Sequence, residues 1–179
     1  MFFISVLDIR VAKVEKTKLY TLDRSDIIML KLREITSENF DECINLKVHK
    51  EQGSFVASNV YSLAQAWLYH RNIKPFAICH DKEIVGFLML DTDYKDGASE
   101  GICDLWRFMI DKNHQGKGYG RVAMQALINY AKETLTVKKI RTAFVPGNTV
   151  AEKLYSSLGF IPNGEVDGDE IVMILDLHS

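Results

Sequence analysis

Gly116, Gly118 and Gly120 alternate with Lys117 and Tyr119 in the stretch "FMIDKNHQGKGYGRVAMQALINYAKE", and Arg121 follows directly. Upstream lies the apolar run "ICDLWRFMI", which reads as a strand. Downstream, Val122, Ala123, Ala126, Leu127, Tyr130 and Ala131 recur with a helical period, while Gln125, Asn129, Lys132 and Glu133 fall on a polar stripe. Strand, glycine turn and amphipathic helix thus succeed one another with nothing between. The cations pose a problem. A helix N-terminus carries unpaired N–H groups and roughly half a positive charge. Lys117 and Arg121 there each cost on the order of 0.3–1 kcal/mol. A bound polyanion removes the conflict, because amides and cations converge on it. Glycine lets the backbone reach phosphate oxygens with no Cβ in the way. The pattern predicts a phosphate-binding turn.

The kind of turn can be narrowed. A P-loop requires Ser or Thr after its Gly-Lys, and here Lys117 is followed by Gly118. The dinucleotide fingerprint G-x-G-x-x-G is not met by "GKGYGR". What remains is Q-x-x-G-x-G, filled by Gln115, Gly118 and Gly120.

Around this turn the chain alternates strands and helices. "LKLREI" reads as a strand, and Thr36 or Ser37 as the cap of a helix over residues 38–50. "QGSFVASN" is a loop, with Ser58 or Asn59 capping "VYSLAQAWLYHR" and Pro75 ending that helical region. "FAIC" and "IVGFLMLDT" form a hairpin through "HDKE", and "DYKDGASEG" is a surface loop. "KIRTAFV" is a strand and "NTVAEKLYSSLG" a helix with Thr149 and Glu152 at capping-box spacing and Gly159 as its C-terminal cap. "EIVMILDL" is the last strand. The expected fold is α/β (α+β): a single domain with a mixed central sheet, antiparallel in its front half, and helices on both faces. Residues 29–179 form that domain, and residues 1–28 an extension without an assigned role.

Composition removes several function classes. With 22 Lys and Arg against 24 Asp and Glu, the net charge is −2, so no basic field points to nucleic acid. The 3 cysteines are far apart and the 5 histidines form no HxH or HExxH pattern, so no metal site or disulfide framework is expected. "MFFISVLDIR" is broken by Asp8 and too short to span a bilayer, so no membrane role is expected and the protein is read as cytoplasmic.

At "FMIDKNHQGKGYGR" and "NTVAEKLYSSLGF" the chain resembles the GNAT superfamily of N-acetyltransferases, over residues 30–177. The resemblance implies acetyl-CoA as co-substrate. Backbone amides of Gly116, Lys117, Gly118, Tyr119, Gly120 and Arg121 would grip its diphosphate, beside Gln115 of the motif. The strand edge at Phe108, Met109 and Ile110 would pair with the pantetheine arm, Asn148 would contact the cofactor, and Tyr155 would sit near the sulfur.

The chemistry then asks for three services: proton removal from the ammonium, stabilisation of the oxyanion and protonation of the thiolate. A phenol of pKa about 10 is close to an alkyl thiol, which suits Tyr155 to the last. Tyr155 also lies on an apolar stripe with Ala151, Leu154 and Leu158, which fits core packing. The Ile110 amide is expected to face the oxyanion. Many relatives carry a glutamate before the second motif, but "RTAFVPG" has no carboxylate. The base stays unassigned: Asp104, at the start of the central strand, is a candidate acting through water or else a solvated strand-end carboxylate, with Glu34 and Glu51 as weaker candidates.

Within the superfamily, "LREIT", "FVASNVYSLAQAW" and "LWRFMID" resemble bacterial spermine/spermidine N-acetyltransferases. That resemblance implies a polyamine acceptor walled by residues 55–67, with Tyr61 and Trp67 lining it. "DTDYKDGASE" and "EVDGDE" are acidic clusters of the kind a polycation needs. The alternatives are a protein N-terminus, a lysine or another small amine as acceptor, or a non-catalytic module that senses acyl-CoA. A homodimer is left open.

Overall fold

A computed structural model of the chain describes residues 8–10, 29–69, 72–94, 101–135 and 137–178. Its strands form one eight-stranded sheet in the order β1-β2-β3-β4-β5-β6-β8-β7. These are β1 (Asp8–Arg10), β2 (Met29–Glu34), β3 (Ile73–His80), β4 (Glu83–Asp91), β5 (Ile102–Ile110), β6 (Lys139–Phe144), β7 (Ile161–Asp167) and β8 (Glu170–Asp176). All neighbours are antiparallel except β5 and β6. Part of the leading extension therefore joins the sheet, through Asp8 opposite Lys31. The rest of residues 1–28 lies outside the described residues, as do residues 95–100 of the expected surface loop.

Both faces of the sheet are covered, which explains why β4 is almost continuously apolar. Val85, Leu88 and Leu90 pack with Ala123, Met124 and Leu127 of α3 (Tyr119–Tyr130). Ile84, Phe87 and Met89 pack on the other face, with Cys43 of α1 (Phe40–Asn45) and Ala66 of α2 (Asn59–Leu68). The alternation slips one residue between Ile84 and Phe87. A bulge opposite Ile78 and Cys79 absorbs it. Gly86 sits in that bulge with no room for a side chain: a Cβ there would lie 2.5 Å from the Met109 carbonyl oxygen.

Several elements differ from the sequence expectation. The helix expected over 38–50 is confined to α1 and followed by a 3-10 turn at Lys50–Gln52. Asn39, rather than Thr36 or Ser37, ties its start, donating to Glu34 O at 2.8 Å and accepting from the Thr36 amide at 2.8 Å. Pro75 does not end a helix. It lies inside β3 opposite Met89, beyond the last β2–β3 pair at Glu34 and Phe76, where no ladder bond to β2 is lost. Ser58 caps α2, accepting from the Tyr61 amide at 3.3 Å. In α4 (Thr149–Ser156) the cap is Asn148, not Thr149: its Oδ1 accepts from the Ala151 amide at 3.2 Å. Gly159 takes the expected left-handed conformation after α4, at φ +93°. The strand β7, exposed along its whole length, was not expected at all.

Candidate active site

β5 and β6 are neighbours only along Ile102–Leu105, opposite Lys139–Thr142. Beyond Leu105 they part, and β5 runs on to Ile110 with β4 alone beside it. Alternation decides which backbone groups face the gap. The Asp111 amide donates to Val85 O at 2.9 Å, on the β4 side. The polar groups of Ile110 and Phe108 therefore turn into the gap, and those of Met109 turn to β4. Of the strand edge expected at Phe108, Met109 and Ile110, Met109 gives its backbone to the sheet instead.

A groove of about 670 Å³ occupies the gap. Gln115, Gly116, Gly118, Tyr119, Gly120 and Arg121 line it from the turn into α3, and Asn148 and Tyr155 line it from α4. Gly116 and Gly118 have φ of +75° and +84°, and Gly118 stands at the N-cap of α3 with no side-chain bond. Among the described residues, the amides of Gly116, Lys117 and Gly118 reach no acceptor. Those of Tyr119 and Gly120, in the first helical turn, have none within the helix. Arg121 donates to Ser157 Oγ at 2.6 Å, and that hydroxyl donates to Leu154 O at 2.6 Å, which holds the guanidinium beside the open amides. Lys117 is exposed and its side chain does not line the groove.

Gln115 turns its amide inward. Its Nε2 donates to Ile110 O at 3.0 Å, which occupies that carbonyl and leaves the Ile110 N–H as the group facing the gap. Tyr155 is buried against Phe160, with ring centroids 5.7 Å apart, yet it lines the groove. It thus serves the core and the site together. Burial pushes its phenol up to about 12, against the opposing pull of the Thr142 hydroxyl, so it stays protonated through the working range.

The acetyltransferase (GNAT) family profile matches residues 31–160. The chain belongs to the acetyltransferase (GNAT) family. It is 33% identical over 151 residues to a probable spermine N(1)-acetyltransferase of Bacillus subtilis subsp. natto, covering 83% of this chain and 99% of the relative. It is 32% identical, with the same coverage, to the spermine/spermidine N(1)-acetyltransferase of Bacillus subtilis strain 168. A crystal structure of spermidine N-acetyltransferase from Vibrio cholerae, in complex with CoA and spermine, shares the fold: TM-score 0.66 at 20% identity, over 83% of this chain and 96% of that one.

Members of the GNAT family use acetyl-CoA as co-substrate. The groove fits it: a run of open amides with Arg121 beside them suits a diphosphate, and the open backbone of Phe108 with the Ile110 N–H suits an amide-bearing arm. No group of side chains suited to a metal ion occurs among the described residues.

A second GNAT cavity, about 410 Å³, shares Leu105, Trp106, Arg107, Ala143 and Glu170 with the groove. Asp91, Asp104, Asp167 and Asp169 also line this recess. Arg141 joins two of them, at 2.8 Å from Asp104 and 2.6 Å from Asp167. Asp104 is not the solvated carboxylate of a strand end. Burial first, then Asp91 and Asp167, push its carboxyl up to about 6, against the pull of Arg141. It faces the recess and does not line the groove. Arg107 donates to Trp106 O at 2.8 Å and to Gln65 Oε1 at 3.0 Å, with its Nε buried and without a hydrogen-bond partner among the described residues.

The acceptor wall is only half as expected. Phe55, Val56 and Ala57 line the groove, but Tyr61 and Trp67 are 56% and 79% exposed and line neither cavity. From α2 it is Gln65 that reaches inward, to Arg107. The segment before α2 is pinned across the groove instead. The Lys47 amide donates to Asp111 Oδ2 at 2.9 Å, the Lys112 amide to Lys47 O at 2.7 Å, and Gln52 pairs with Gln115. Glu34 and Glu51 line neither cavity. Sequence reasoning missed Gln52, Arg107 and Glu170. Gln52 and Arg107 reach Gln115 and Gln65, 63 and 42 positions away, and Glu170 comes to the groove only through the pairing of β6 with β8, so no local spacing marks them.

Proposed function

We propose that the protein transfers the acetyl group of acetyl-CoA to a primary amine of a polyamine of the spermidine or spermine class. The observation that carries this acceptor is the recess. Five carboxylates, Asp91, Asp104, Asp167, Asp169 and Glu170, line it against two guanidiniums, Arg107 and Arg141, and it opens directly onto the groove. A flexible chain with several ammonium groups suits such a recess better than a peptide with one charge near its reacting amine. The names of the Bacillus relatives point the same way.

In this reading the amides from Gly116 to Gly120 hold the diphosphate, and the Arg121 guanidinium neutralises it. The Arg121 amide, expected to join them, donates to Gly118 O at 3.1 Å instead. Phe108 offers its N–H and C=O to the pantetheine arm. Asn148, whose Oδ1 caps α4, keeps its amide N–H groups for the same ligand. Acetyl-CoA supplies the acyl group as a thioester. The Ile110 N–H meets the charge that develops on the carbonyl oxygen, and Tyr155 donates a proton to the leaving sulfur. Buried, unpaired thiols at Cys43, Cys79 and Cys103 support a reducing, cytoplasmic setting.

Release of free thiol, followed with acetyl-CoA and a panel of polyamines, aminoglycosides and lysine peptides, tests the acceptor. Spermidine and spermine are expected to turn over fastest. Faster turnover of a peptide or aminoglycoside would overturn the polyamine assignment, and cofactor binding without turnover of any amine would favour a sensor.

A further inference from the structure

The family's habit of placing a carboxylate on the strand before the second motif fails here, because β6 and its exit carry none. The neighbouring strand supplies one from the other direction. We propose that Glu170, at the head of β8, takes the proton from the acceptor ammonium and so frees the amine for attack, a role that rests on the acetyl-transfer reading above. Phe144, the last residue of β6, pairs with Ile171, so Glu170 stands where β6 ends and the gap is open. It is the sole carboxylate among the described residues lining the groove, and it belongs to the recess as well. An ammonium passing from the recess toward the thioester meets it at the junction.

The carboxylate is also uncommitted. Among the described residues it makes no ion pair within 4.0 Å and no side-chain hydrogen bond. Asp104, the alternative, is held by Arg141 at 2.8 Å. The groups facing Glu170 are Arg107 on β5, Arg141 on β6, Asp167 on β7, Asp169 in the β7–β8 turn, and Tyr155 on α4. Burial raises its pKa most, Asp167 and Asp169 raise it further, and the two arginines oppose. A carboxylate moved up toward neutrality is a better proton acceptor than one in water. Glu170 in turn helps to keep the Tyr155 phenol protonated. One pocket thus holds an acid and a base whose environments suit opposite tasks.

The step balances. One ammonium proton passes to Glu170, and the amine lone pair forms the N–C bond as the carbonyl π pair moves onto oxygen. That pair returns as the C–S bond breaks, and the sulfur takes the Tyr155 proton. The remaining excess proton on nitrogen restores Tyr155, and Glu170 releases its own to solvent. Ammonium and thioester become amide, thiol and one free proton.

The test is Glu170→Gln, which keeps shape and removes the basic site. With spermidine at neutral pH its kcat should fall on the order of 100-fold, while calorimetric affinity for acetyl-CoA changes less than about twofold. The acidic limb of kcat against pH, present in the unsubstituted protein, should vanish from the variant. A variant with unchanged kcat and the same limb overturns the role of Glu170 and leaves polyamine acetylation standing. If the unsubstituted protein prefers another amine, the acceptor assignment falls and the same pair of proteins is compared on that amine; no turnover of any amine overturns both. If E170Q does not fold, Glu170→Asp replaces it: the limb should persist with kcat lowered roughly tenfold, and an unchanged kcat counts against the proposal.

Discussion

Gln52 and Gln115 exchange two hydrogen bonds across the groove: Gln115 Nε2 donates to Gln52 Oε1 at 2.9 Å, and Gln52 Nε2 donates to Gln115 Oε1 at 3.2 Å. Because Gln115 Nε2 also reaches Ile110 O, the pair joins the segment over the groove to the strand that borders it. The motif glutamine thus acts through geometry and not through charge.

Gln52→Ala removes that tie without touching the reacting atoms. Loss of such neutral bonds is worth about 1 kcal/mol, which corresponds to a roughly fivefold rise in the KM of the amine. Its kcat should stay within about twofold. Steady-state kinetics at saturating acetyl-CoA measure both. An unchanged KM would mean that Lys47, Lys112 and Asp111 hold the segment unaided.

Tyr155→Phe keeps the ring against Phe160 and deletes the proton donor. Turnover should fall on the order of 100-fold, as for loss of a general acid. Acetyl-CoA affinity should move less than about twofold, since the hydroxyl makes no ground-state bond that binding requires. Stopped-flow binding beside turnover separates the two, and equal turnover would leave Tyr155 as core alone.

How far the sequence could be read follows from which interactions are local. The glycine turn, α3 and the α4 motif announce themselves because capping, positive φ and helical period are short-range matters. Strand β7 escaped because "IPNGEVD" is exposed along its length and has no apolar alternation to read. Pro75 misled because its tolerance depends on where β2 stops, which is a tertiary fact. Tyr61 and Trp67 looked like acceptor residues, yet the segment before α2 closes the groove through bonds to Asp111 and Gln115, some 63 positions away. Glu170 was legible only as part of the acidic cluster "EVDGDE", and the pairing of β6 with β8 is what brings it to the groove.

Two glycines should separate binding from folding. Gly118→Ala forces a side chain into φ +84°, at about 1–2 kcal/mol, at the start of the open amides. Acetyl-CoA affinity should drop roughly tenfold. Gly86→Ala drives a Cβ to within 2.5 Å of the Met109 carbonyl, away from the diphosphate turn. That overpacking should cost about 1–3 kcal/mol and lower Tm by several degrees. Calorimetric binding and thermal unfolding on both variants check the pair. The assignment of the turn fails if G118A binds acetyl-CoA normally.

Asp104 gives the protein a pH dependence of calculable sign. Its carboxyl lies at about 6 in the fold against 3.8 in the unfolded chain, raised chiefly by burial. Between those values the native state binds more protons than the unfolded one, so this group's contribution to stability falls as pH rises. The contribution is complete below 3.8 and lost above about 6. Asp104→Asn removes the titration and leaves Arg141 with Asp167 as its remaining carboxylate partner. Because the ionised carboxyl is the disfavoured form in the fold, the variant should be at least as stable as the original protein at neutral pH. Near pH 4 the original protein recovers the protonation energy and the variant does not, so the variant's advantage should shrink or reverse on acidification. Urea unfolding of both proteins at pH 4 and pH 7 measures the difference. A variant whose advantage grows on acidification would mean that Arg141 holds Asp104 ionised, with its pKa below the unfolded value.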